Sequence, residues 1–189
     1  LSTDVLGAVS TDALRGLSST QFGALTTDQV VALTTGQARA LGSVQARGLT
    51  SEQLGALETA DLVQLGTAAV AALSSGSLVG LASEQVSALL TAQVAALTTA
   101  QAAGLTEDQT ANLTTAGARA LGTGVVSQLG TAAVEALTTE AVAALGTAQV
   151  NALSSTQFGS LTTEQVVALT TGQAKALGAA QARGLTSEQ

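Results

Sequence analysis

Leucine returns at every eighth residue from Leu1 to Leu185, and Val9 is the single departure among 24 positions. No insertion or deletion breaks this register. With the leucine labelled a and the octad read a to h, Leu25-Thr26-Thr27-Asp28-Gln29-Val30-Val31-Ala32 is a representative unit. Position b is Ser or Thr in 15 units and Gly in six more, c is Ser or Thr in 22, and e is Gln in 15. Position f is Val, Leu, Phe or Ala in 22 of the 23 units that reach it, and h is Ala, Gly or Ser in 20. A tandem array of this regularity restricts the fold to one in which every unit takes the same shape and buries its apolar side against its neighbours. The register predicts one continuous array over residues 1–189, about 24 octads long, cut from a longer repetitive protein because it stops in mid-unit at Gln189. A longer-range copy lies on top of it: residues 17–53 match residues 153–189 at 32 of 37 positions.

An unbroken helix does not suit this period. At about 100° per residue, eight residues overshoot two turns by roughly 80°, so the leucine row would wind around the helix and leave no apolar face. The helix must be interrupted in every octad. Taking b as the N-cap explains three positions together. A Ser or Thr hydroxyl suits the cap. Gln at e then falls at the third helical residue, where it completes a capping box, and a and f form a hydrophobic staple. On this reading Thr26, Thr34 and Thr162 cap, and Gln29, Gln37 and Gln165 reach back to them. The rival places the cap at c, with Gly42 and its equivalents as left-handed residues that end the preceding helix. Gln at e could also form ladders between coils, and its two roles are not separable at this level.

Charge follows the same frame. Nine of the 13 acids occupy d and all six bases occupy g. With the cap at b, carboxylates fall in the first turn and bases toward the helix end, the polarity that the helix dipole favours. The expectation is therefore an all-α solenoid of short capped helices, one per octad. Its core is drawn from positions a and f, with Leu25, Val30, Leu33, Leu41, Leu49, Leu97, Leu161, Val166 and Leu169 as representatives. A β-solenoid is the alternative, since Thr and Val are good strand formers. It is disfavoured because the apolar spacings of five and three lack period-two alternation.

Composition removes most chemistry. The chain contains no His and no Cys. The usual zinc, haem and iron–sulfur sites therefore have no ligands, and neither a Ser-His-Asp triad nor a thiol nucleophile can be built. Six bases against 13 acids argue against nucleic acid as a partner. The adjacent Glu107 and Asp108 read as a solvated helix start, and the acids are too dispersed for an EF-hand or similar calcium loop. Residues 62–83 carry no charge, yet their Gln, Gly, Ser and Thr content does not fit a membrane span. Asn112-Leu113-Thr114 is a glycosylation sequon of the kind that arises by chance in a Thr-rich chain. No enzyme, cofactor, metal or small-molecule substrate is expected.

Three functions fit a uniform array. The preferred one is a structural rod, stalk or filament built by self-stacking of repeats. A surface-binding module, such as an ice binder, would use the Thr/Ser row at c. A protein-binding α-solenoid scaffold would use the variable residues at g. The phrase Leu-Thr-Thr-x-Gln-Val-x-Ala-Leu, at 25–33 and 161–169, resembles the repetitive tracts of very large bacterial surface or secreted proteins of the adhesin-like kind. That resemblance implies an extracellular or cell-surface stalk or filament.

Overall fold

The computed structural model describes residues 2–189; Leu1, the first member of the leucine series, lies outside them. The described residues form 23 α-helices and no strand. The helices are four to six residues long and run from Thr3–Ala8 to Ala179–Gly184, one per octad. The chain divides into two compact units, Leu1–Ala96 and Leu97–Gln189.

Position b is the N-cap of every helix, with extended backbone there, as at Thr26 (φ −73°, ψ 160°). The cap at c is excluded. Gly42 is itself an N-cap with φ −99°, and no described residue has a positive φ. The six-residue helices end instead by swinging the next leucine (Val9 in the first) into extended geometry, as at Leu41 (φ −63°, ψ 127°), while shorter ones end on a residue such as Ala32 (φ −76°, ψ −1°) just before that leucine. The amide N–H of that leucine donates to the carbonyl of f, as Leu33 does to Val30 at 3.2 Å. This tight i→i−3 closure satisfies one of the orphan carbonyls and lets the next helix begin almost at once.

Helices this short have no independent stability. Within each unit every helix packs on the one three places further along. In the first unit this runs from Thr3–Ala8 on Thr27–Val31 to Thr67–Val70 on Thr91–Ala95. In the second it runs from Thr99–Ala102 on Thr123–Val126 to Ser155–Gly159 on Ala179–Gly184. Direct contacts between turns join residues 25, 28, 30 and 31 apart. Each of these separations exceeds three octads and falls short of four, so one superhelical turn takes between three and four octads.

The core is the a and f rows. Leu33, Leu41, Leu49 and Val30 are buried in the first unit, and Leu97 and Leu161 in the second. Leu25, Val166 and Leu169 are half-buried. Phe22 and Phe158 occupy f at equivalent places in the long duplicate and are completely enclosed. The nine acids at d and the six bases at g are all exposed.

Candidate functional site

The recurring feature between turns is a row of buried glutamine side chains at e. Each cap is built locally. The Thr26 Oγ1 accepts the Gln29 amide N–H at 3.2 Å, while Gln29 Oε1 accepts the Thr26 N–H at 2.8 Å. Thr34 with Gln37 and Thr162 with Gln165 repeat the pattern, at 2.7–3.3 Å. The glutamine arm also works where b has no hydroxyl, as in Gly42 N–H to Gln45 Oε1 at 3.2 Å and Leu90 N–H to Gln93 Oε1 at 3.0 Å.

The other end of the same amide crosses to the preceding turn. Gln37 Nε2 donates to the carbonyls of Leu6 (2.9 Å), Gly7 (3.3 Å) and Val9 (2.8 Å). Gln93 Nε2 donates to Leu62 and Leu65, both at 2.9 Å. In the second unit Gln165 Nε2 reaches Val134, Glu135 and Leu137, and Gln173 reaches Val142, Ala143 and Leu145. The acceptors are always drawn from positions f and g of one octad and the residue at a that opens the next. These are the carbonyls that a helix end leaves without intrahelical donors. One glutamine therefore caps the N-terminus of its own helix and the C-terminus of another helix one turn back. Because the amide sits in the interior, its bond to the carbonyl at a satisfies an acceptor that would otherwise be buried without a donor, and its bond at f adds a second donor to a carbonyl that already accepts the N–H of the residue at a.

Two further contacts lie outside this row. At three places backbones touch directly through paired glycines, one at g and the other at h three octads on: Gly23 with Gly48, Gly55 with Gly80, and Gly159 with Gly184. A Cβ on Gly23 would lie 2.5 Å from the Gly48 carbonyl oxygen. On the outer surface Arg15 Nε donates to the Ala40 carbonyl (2.9 Å), and Arg39 Nε donates to Gln64 Oε1 (3.1 Å), with the same g-to-h relation.

The row has gaps. Where e is Ala133, a cavity of about 450 Å³ opens beside Leu105, Thr106, Gly130 and Ala132. Leu105 is related to Ala133 as Leu65 is to Gln93, and Gly130 is the cap of the helix that carries Ala133. Glu107 and Asp108 line its edge. The Glu140 carboxylate is held below its usual range by its own backbone N–H, with the Thr139 and Thr138 hydroxyls adding to the effect. Both features belong to caps; no group of three or more His, Cys, Asp or Glu side chains gathers among the described residues. None of the described helices is long and apolar enough to cross a membrane.

A family model described as the ALTTAQ repeat matches residues 1–35, 54–91, 119–147 and 142–171, about two-thirds of the chain. The chain belongs to the ALTTAQ repeat family. Those six letters occur here at 96–101, from h of one octad through e of the next. They spell the small residue, the staple leucine, the capping Thr and the bridging Gln. No curated protein and no solved structure matches the chain.

Proposed function

We propose that this ALTTAQ repeat array is a structural element, an extracellular rod, stalk or filament whose length is its function, without catalysis. The observation that carries this reading is that turns within each unit are joined by one repeated bond. The same glutamine amide meets the same class of backbone carbonyl, so further octads can be added without any new kind of contact. The long duplicate supports it. Gln53 donates to the Gly23 and Leu25 carbonyls, and Gln189, its copy, donates to Gly159 and Leu161. A chain tuned to grip one partner has no use for such uniformity. Exposure outside a cell fits the adhesin-like phrasing, and few bases and two aromatic residues leave little for common proteases.

Electron microscopy of the purified native protein tests this. Filaments or rods of uniform width with a fine axial repeat are expected. Discrete short particles that never elongate would contradict the proposal. One observation favours a surface-binding reading in second place. Because the hydroxyls at b do the capping, those at c, such as Thr35, Thr67 and Thr115, stay exposed. Ice shaping by the same preparation, without filaments, would favour that reading.

A further inference from the structure

One octad carries a carboxylate at both capping positions. In Leu57-Glu58-Thr59-Ala60-Asp61-Leu62-Val63-Gln64, a carboxylate replaces the hydroxyl at b and another replaces the amide at e. Glu58 is the N-cap and makes no side-chain capping bond. Asp61 is 4% exposed. No hydrogen bond to its carboxylate forms among the described residues, though no fully enclosed side-chain atom lacks a partner, so its oxygens keep an edge of solvent contact.

The surroundings of Asp61 follow from its neighbours in the row. Every polar side chain at e from Gln37 to Gln93, apart from Asp61, donates to the carbonyl of the leucine or valine at a that opens the octad after the one it bridges. The series includes Ser77, whose side chain is shorter than aspartate and whose Oγ still lies 2.6 Å from the Leu49 carbonyl oxygen. By the same register Asp61 stands against the Leu33 carbonyl, related to it as Leu65 is to Gln93, with Val31 alongside, related to it as Gly7 is to Gln37. Gln and Ser bring a proton to that carbonyl; an ionised carboxylate brings none. The register sets oxygen against oxygen in a mostly buried slot, an arrangement that is repulsive unless a positive charge or a hydrogen-bond donor lies between, and the carboxylate's own negative charge favours the cation. Arg39, the base that reaches this octad, is bound to Gln64 Oε1.

We propose that Asp61, with the Leu33 and Val31 carbonyls and with Glu58 at the mouth, forms a binding site for a hard cation. Carboxylate and backbone carbonyl oxygens are the ligands that such ions take, with water completing the shell. The site differs from a calcium loop, because its carbonyls come from the preceding turn of the superhelix. The ion would take over the turn-to-turn bond that glutamine makes elsewhere.

Thermal melting and calorimetric titration of the full chain with calcium, and separately with sodium and potassium at constant ionic strength, test the proposal. One ion per chain is expected to bind, with a melting temperature that rises and then saturates. Asp61→Asn is expected to fold, since its amide can donate to Leu33, and to lose both the binding and the dependence. Saturation with calcium alone marks a divalent site; saturation with sodium or potassium marks a monovalent one. An unchanged response in Asp61→Asn would overturn the proposal, because the exposed carboxylates at d would then account for it. So would a wild-type melting temperature that ignores all three ions.

Discussion

Gln93→Leu is expected to destabilise the first unit by about 3 kcal/mol, read from urea or thermal unfolding. The side chain is 1% exposed and makes three bonds: Oε1 to the Leu90 N–H, and Nε2 to the Leu62 and Leu65 carbonyls. Leucine fills a similar volume, so the cost is electrostatic. It leaves the Leu90 N–H and the Leu65 carbonyl without partners, each worth about 1–3 kcal/mol where water cannot replace the lost bond, while the Leu62 carbonyl keeps the Leu65 N–H at 3.1 Å. Gln21→Leu supplies the internal comparison. Gln21 is exposed and completes a capping box with Ser18, but its Nε2 reaches no carbonyl among the described residues. Its loss should cost about 1 kcal/mol, the usual value of a cap. Equal losses at the two sites would mean that the glutamines act only as caps.

Gly80→Ala should cost about 3 kcal/mol or more, while Gly76→Ala, one helical turn away, should gain up to about 1 kcal/mol. Both changes add one methyl group. At Gly80 that methyl would overlap the Ser51 carbonyl of the adjoining turn, which is backbone and cannot swing aside. Overpacking usually costs about 1–3 kcal/mol, and a rigid obstacle puts this site at or above the top of that range. At Gly76, inside the helix Ser75–Leu78, the nearest outside atom is Ser74 Oγ at 3.8 Å, so the helical preference for alanine decides the sign. Denaturation midpoints of the two variants should move in opposite directions.

The parts legible in the sequence are those whose partners are close along the chain. Cap, box and staple join near neighbours within one octad, so Thr26, Gln29, Leu25 and Val30 announce their relation by residue type alone. The polarity of Asp28 at d and Arg39 at g is legible for the same reason. The second bond of each glutamine is different in kind. Its acceptor is a backbone carbonyl, which every residue possesses, so nothing at Leu62 or Leu65 marks it as the partner of Gln93. The length of the turn is hidden with it. The glycines hold a trace of it. Gly23 with Gly48, Gly55 with Gly80 and Gly159 with Gly184 share one spacing, from g to h three octads on, and that spacing is also the one that joins Arg15 to Ala40 between turns. Asp61 is equally visible as a letter, but its meaning depends on knowing that position e points into the interior.

Disulfide mapping tests most directly whether turns stack at this spacing, and the chain contains no cysteine to interfere. Arg39 and Gln64 reach the surface, bond through Arg39 Nε and Gln64 Oε1 at 3.1 Å, and share the g-to-h relation at which a Cβ on Gly23 would lie 3.7 Å from the Gly48 Cα, close enough for a disulfide. In the doubly substituted Arg39→Cys, Gln64→Cys protein, mild oxidation should form an intramolecular bridge rapidly and without loss of helicity. Arg39→Cys paired with Ala71→Cys, which places both cysteines at g and separates them by four whole octads, should stay reduced under the same conditions. Bridging of the second pair in preference to the first would contradict a superhelix with fewer than four octads per turn, and with it the glutamine bonds between turns.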